Sequence, residues 1–287
     1  MSKASELRSL MDQPGILVLP GAHDVLSAKL FEQAGFPVVF TSGFGLAATT
    51  LGLPDTGLLT ATEMLERVRR VVDAVPIPVV ADMDTGYGNP LNVVRTVREC
   101  VATGVAGIIL EDQLWPKKCG HMDNKSVIPM EEQVEKLRAA DYARGDSDLV
   151  IVGRTDARGP LGLDEAIRRG RAYAEAGADI VFVEAPQSAE ELRTVASSIE
   201  APTFANMIEG GRTPFLSSKE LEAIGFKMVV YPLSGLFATT KVVGELASYL
   251  RSGGTTKGFD TMVSFHDFEN VIGVGSFREL ESRFAVN

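Results

Sequence analysis

Residues 78–113 read "PVVADMDTGYGNPLNVVRTVRECVATGVAGIILEDQ". The stretch holds two apolar runs, "PVVAD" (78–82) and "GIILE" (107–111), that do not alternate with polar residues. Such runs fit parallel strands buried on both faces. Between them Asn89 and Pro90 open a helical pattern, "LNVVRTVRECVATG", that closes at Gly104. Strand, helix and strand therefore follow one another directly.

The same alternation extends in both directions. Further strand-like runs are "ILVL" (16–19), "VVFT" (38–41), "LVIVG" (149–153), "IVFVE" (180–184), "TFANM" (203–207) and "MVVY" (228–231). Amphipathic patterns lie between most of them. Thr60 with Glu63 forms a capping box before "MLERVRRVVDAV", Ser188 with Glu191 opens "ELRTVASSI", and "LDEAIRRGRAYAEAG" closes at Gly177. Eight strands alternating with helices in one chain predict an α/β fold, a (β/α)8 TIM-like barrel. A doubly wound open sheet is the alternative, but no GxGxxG or Walker loop supports it. We read residues 1–254 as the barrel domain and 255–287 as a helical extension. The extension carries five phenylalanines in "GFDTMVSFHDFENVIGVGSFRELESRF". It either caps the barrel as a helix pair or packs its aromatics on another subunit.

Bulk composition excludes several functions. A formal charge of −10 argues against a nucleic-acid or anionic-membrane surface. The polar start "MSKASELRSLMDQPG" is not a signal peptide, and no apolar run approaches a membrane span. The two cysteines, Cys100 and Cys119, are too few for a disulfide scaffold, so a reduced, cytoplasmic protein is expected.

Active sites of such barrels lie where strands end. The strand ends here give Thr41-Ser42-Gly43, Asp82 with Asp84, Glu111 with Asp112, Arg154-Thr155-Asp156, Glu184 and Asn206, and Asp55 lies in the loop "LGLPDTG". Carboxylates converging on one rim repel unless a cation or proton intervenes. Asp82 and Asp84 flank Met83, so in extended chain they point the same way, and with Glu111 they could hold a hard divalent cation. The competing role for one of these acids, capping the next helix, is already taken by Asn89. Arg154 offers a planar fork for a substrate carboxylate, or a salt bridge to Glu184 or Asp156. Cys119 sits in the loop "PKKCGH", where Lys117, Lys118 and His121 would favour a thiolate or poise the thiol as a proton donor. No second Cys stands at CxxC spacing.

These pieces resemble the isocitrate lyase/phosphoenolpyruvate mutase superfamily. The matching motifs are "TLGLPDTG" (50–57), "DMDTGYGN" (82–89), "EDQ" (111–113), "KKCGH" (117–121), "RTDA" (154–157), "VEAP" (183–186) and "ANMIEGGRTP" (205–214). Within it the chain looks closest to the branch of petal death protein, 2,3-dimethylmalate lyase and oxaloacetate hydrolase. The resemblance implies Mg2+, with Mn2+ as a substitute, held directly by Asp82 and through waters by Asp84, Glu111 and Asp55. It also implies that the backbone of Ser42, Gly43 and Phe44 holds the substrate carboxylate, with Arg154, Glu184 and Asn206 lining the pocket. Cys119 on a gating loop would be the acid–base residue, flanked by Lys118 and His121. It further implies a homotetramer with C-terminal helices swapped between subunits. The implied reaction is carbon–carbon cleavage of a small 2-hydroxy or 2-oxo dicarboxylate such as an alkylmalate or oxaloacetate. Methylisocitrate lyase and a phosphonomutase-type P–C bond enzyme are the alternatives. Phe44, where lyases of larger substrates place Gly, should shrink the pocket and disfavour tricarboxylates. Cys119, where P–C bond enzymes typically carry Asn, disfavours phosphonates.

Overall fold

The computed structural model describes residues 1–121 and 125–285. Eight strands appear: β1 (Leu17–Ala22), β2 (Val39–Thr41), β3 (Val79–Asp82), β4 (Gly107–Glu111), β5 (Val150–Thr155), β6 (Ile180–Val183), β7 (Thr203–Asn206) and β8 (Met228–Tyr231). They form a closed parallel barrel in sequence order. Closure is made by β1 on β8, with Leu17 opposite Met228 and Pro20 opposite Tyr231. The expected (β/α)8 barrel is therefore the fold of the chain.

The opening stretch explains itself locally. The Asn89 side chain accepts from the backbone N–H groups of Leu91 and Asn92, and Pro90 occupies the first helical position, where no N–H is needed. The helix Pro90–Thr103 then ends on Gly104 in the left-handed conformation, φ 77°. Thr60 and Glu63 form the capping box read from sequence.

Strand alternation sorts the core into layers. Every second residue faces the barrel interior: Phe40, Val80, Ile109, Val152, Phe182, Phe204 and Val230 fill it. The rings of Phe182 and Phe204 pack at 5.3 Å. Leu7, on the helix Lys3–Asp12, is fully buried within this interior cluster. The intervening residues, such as Val79, Ile108, Ile151, Val181 and Val229, pack outward on the helices. One step further along each strand, the inward phase reaches Ser42, Asp82, Glu111, Arg154, Glu184 and Asn206. The period of two that fills the barrel with hydrocarbon thus delivers polar groups to its C-terminal rim.

By contacts the chain divides into two compact units, Met1–Gly235 and Leu236–Asn287. The second contains most of the helix Ser234–Gly253 and the helices Phe265–Ile272 and Val274–Arg283. Within it Tyr249 packs on Phe259 at 5.5 Å, and its hydroxyl donates to the Lys257 carbonyl. These three helices bury no residue, and Phe265, Phe277 and Phe284 are 81%, 68% and 71% exposed. No helix among the described residues is long and apolar enough to cross a membrane.

Candidate active site

A cleft opens at the C-terminal ends of the strands. It gathers Ser42, Phe44, Asp55, Asp82, Glu111, Lys118, Cys119, His121, Arg154, Glu184 and Asn206 into one wall system. Gly43 and Asp84 lie just behind, each close to Lys117.

The acids are organised by backbone. Asp82 Oδ2 accepts from the Gly43 N–H at 3.1 Å, and Oδ1 accepts from the Asp84 N–H at 3.1 Å. The Ser42 hydroxyl meanwhile caps the helix Gly43–Leu51 by accepting from the Gly45 N–H. The spacing of Asp82 and Asp84 predicts that they share a face of an extended chain. The structure differs: Asp84 has φ 50°, so a turn, rather than strand alternation, brings it back toward Asp82. The Tyr87 hydroxyl donates to Asp84 Oδ2, and the Glu111 N–H donates to the Asp84 carbonyl. Burial, reinforced by Asp82 and Asp55 against the pull of Lys117, pushes the Asp84 carboxyl up to about 6. Burial also pushes Glu111 well above the carboxylate range, against Arg154 and Lys117.

Lys117 is the residue whose role the sequence hid. In sequence it flanks Cys119, yet its side chain turns into the acids and is 2% exposed. Nζ stands 2.6 Å from Asp84 Oδ1 and 2.8 Å from Asp55. No spacing rule gives a loop lysine its direction. Gln113 has an equally hidden role: its amide clamps the Lys118 backbone, donating to the carbonyl at 2.8 Å and accepting from the N–H at 2.9 Å. Lys125 pairs with Asp156 at 2.7 Å and donates to the Gly120 carbonyl.

Arg154 is buried and held on three sides. It forks onto Asp156 through Nε (2.9 Å) and Nη2 (3.1 Å), approaches Glu111 at 3.4 Å and Glu184 at 3.2 Å, and lies over the Phe182 ring. Among the described residues its Nη1 has no hydrogen-bond partner. Burial would raise the Glu184 carboxyl, but Arg154 and His121 together hold it well below the usual range. Asn206 donates to both Glu184 oxygens at 3.2 and 3.3 Å.

Of the two states expected for Cys119, a thiolate or a thiol that donates its proton, this environment favours the thiol. Burial pushes its thiol up to about 11, with Glu184 and Asp55 adding to the shift, and Lys117 is spent on the acids. Cys119 is therefore a protonated thiol at neutral pH.

The residues present fit a hard divalent cation. The buried carboxylates Asp55, Asp82, Asp84, Glu111, Asp156 and Glu184 outnumber the basic side chains Lys117, Lys118, Lys125 and Arg154 around the cleft among the described residues. Glu111 Oε1 is buried with no hydrogen-bond partner, and all these donors are oxygen. Among the described residues no three His, Cys, Asp or Glu side chains converge enough to chelate a metal unaided. Mg2+, which keeps several waters, suits one or two direct carboxylates better than a closed cage. The lining of the cleft also includes the apolar side chains Phe44, Ile208, Val230, Pro232 and Leu233.

Asp112, the other acid at the β4 end, does not join the site. It follows Glu111 directly and so faces outward, where it accepts from Thr155 Oγ1, the Asp156 N–H, Arg169 Nη1 and the Tyr173 hydroxyl at 2.7–2.9 Å.

Comparison with known proteins follows the same lines. The phosphoenolpyruvate phosphomutase family profile matches residues 7–251. The chain is 46% identical to 2,3-dimethylmalate lyase of Eubacterium barkeri, over 99% of each protein. Its fold superposes on an oxaloacetate acetylhydrolase solved with the inhibitor 3,3-difluorooxalacetate, with a TM-score of 0.95 at 32% identity over 100% of this chain and 98% of that one. A phosphonopyruvate hydrolase solved with oxalate and Mg2+ superposes with a TM-score of 0.90 at 32% identity over 100% of both chains.

Proposed function

This chain belongs to the phosphoenolpyruvate phosphomutase family, within the isocitrate lyase/phosphoenolpyruvate mutase superfamily, and from that membership we propose a Mg2+-dependent carbon–carbon lyase of small 2-hydroxy dicarboxylates. Alkylmalates such as 2,3-dimethylmalate are the favoured substrates, and hydrolytic cleavage of oxaloacetate is the related reaction. The observation that carries the proposal is one thiol, Cys119, sharing a cleft with a buried arginine fork and a rim of acids.

Arg154 Nη1 takes a substrate carboxylate, its other nitrogens being fixed by Asp156 and Glu184. Glu111, whose carboxyl burial alone keeps protonated, would ionise beside a bound cation, and its Oε1, buried and without a donor, would then receive the proton of the 2-hydroxyl. Breaking the adjacent carbon–carbon bond leaves a 2-oxo acid and a carboxylate enolate. The Cys119 Sγ–H delivers its proton to the enolate carbon, which a thiolate could not do. Asp82, with Asp84, Glu111 and Asp55 around it, would hold Mg2+, which would supply charge stabilisation at the substrate oxygens. The wall of Phe44, Ile208, Val230, Pro232 and Leu233 receives the alkyl substituents and leaves no third carboxylate a partner there.

Replacing Cys119 by Ser tests this directly. The variant should lose about 10²- to 10⁴-fold in kcat while KM changes little. Near-normal turnover would remove the thiol from the reaction. A second reading, P–C bond chemistry, is favoured by the family profile and the phosphonopyruvate hydrolase neighbour. It makes no use of the protonated thiol, and the substrate panel below separates the two.

We also propose a cytoplasmic homotetramer in which the C-terminal helices pack on neighbouring subunits. Three helices without a buried residue, carrying phenylalanines more than two-thirds exposed, support it. Light scattering that returned a monomer would remove it.

A further inference from the structure

His121, in the motif "KKCGH", is held from a second, distant motif, "ANMIEGGRTP". Its Nε2 lies 2.9 Å from Glu184 Oε1. Its Nδ1 accepts a hydrogen bond, 2.9 Å long, from the backbone N–H of Arg212, in the loop that follows β7. Arg212 Nε donates to the His121 carbonyl at 3.0 Å. Two segments more than ninety residues apart in sequence thus meet at one imidazole.

The approach is possible because residue 211 is glycine. A Cβ there would lie 2.5 Å from His121 Nδ1 and 2.9 Å from Cε1. Gly211 has no positive φ, so the need for glycine comes from the ring and not from backbone strain.

We propose that Gly211 and the Arg212 backbone N–H are positioning residues for His121, selecting the tautomer that is bare at Nδ1 and carries its proton on Nε2. An N–H donor at 2.9 Å requires a lone pair on Nδ1. The other neutral tautomer, and the doubly protonated ring, would each set two N–H groups against one another. The proton on Nε2 is then committed to Glu184, and the Asn206 amide, 3.5 Å from Nε2, donates to the same carboxylate. His121 accordingly orients Glu184 beneath Arg154 and is not itself the proton donor, which leaves that part to Cys119. The choice is made by a backbone amide, so it survives changes of side chain at 212.

The kinetic consequence rests on the lyase reading, whereas the tautomer is read without substrate, so the two can fail separately. The full chain is labelled with ring-15N histidine; it has three histidines, and His121→Asn identifies the resonance of interest. At pH 7 the wild type should show a bare Nδ1 and a protonated Nε2 for His121. Arg212→Ala keeps the amide and should keep that pattern. Arg212→Pro deletes the N–H and should shift His121 toward a mixture of tautomers, with kcat about 10- to 100-fold below Arg212→Ala and KM within a few-fold. Gly211→Ala should displace the ring and give the same spectral change, which secures the test if the proline variant does not fold. A wild-type ring protonated on Nδ1, or Arg212→Pro and Arg212→Ala variants with identical His121 resonances, would overturn the proposal.

Discussion

Cys119 and Lys117, two residues apart, divide the chemistry of one loop. Lys117 turns to Asp55 and Asp84, and its charge is used there. Cys119 is left among burial and carboxylates, which hold the proton on sulfur. Alkylation requires thiolate. With the thiol raised to about 11, iodoacetamide labelling of Cys119 should be slow at pH 7 and should accelerate about tenfold per pH unit toward pH 11. Cys100 does not compete, being fully buried and pushed up to about 12. Peptide mapping of the labelled protein gives the rate. A plateau reached by pH 8 would mean an activated thiolate and a different role for the residue.

At the scale of the elements, the strand ends decide which acids are functional. The sequence marks each end clearly, because an apolar run stops at an ionisable or amide residue. Period-two geometry then assigns faces, and it separates Glu111 from Asp112. Asp112 pins β4 to the helix Leu163–Glu175 through Arg169 and Tyr173. Its replacement by Ala leaves the Arg169 guanidinium short of a buried partner. The expected cost is about 3–5 kcal/mol, measured by urea unfolding. Asn89→Ala, which removes only the cap of the helix Pro90–Thr103, should cost about 1 kcal/mol. Equal costs would place Asp112 outside any buried network. What the sequence did not disclose lies in loops: the inward turn of Lys117, the clamp by Gln113 and the left-handed turn at Asp84. Loop side chains follow no period, so their directions emerge only from the assembled barrel. The Gly211–Arg212 contact with His121 was hidden for the same reason, although "ANMIEGGRTP" was visible as a motif.

For the whole molecule, net charge and site charge agree. A chain of formal charge −10 concentrates carboxylates on one rim and counters them only in part. A divalent cation that binds the folded rim and not the unfolded chain stabilises by mass action. At about a hundredfold excess over its Kd, Mg2+ should add about 2.7 kcal/mol, seen as a melting temperature several degrees higher that EDTA reverses. Since Asp84 takes up a proton as pH falls through about 6, the Mg2+ effect should shrink below that pH. An unchanged melting temperature at any pH would argue that Lys117 alone balances the rim. The most direct measurement is steady-state turnover of a Mg2+-supplemented panel: 2,3-dimethylmalate, citramalate, oxaloacetate, methylisocitrate and phosphonopyruvate. Cleavage of an alkylmalate or oxaloacetate, abolished by EDTA, with little turnover of methylisocitrate or phosphonopyruvate, is the expected result. Turnover of phosphonopyruvate with none of the dicarboxylates would contradict it.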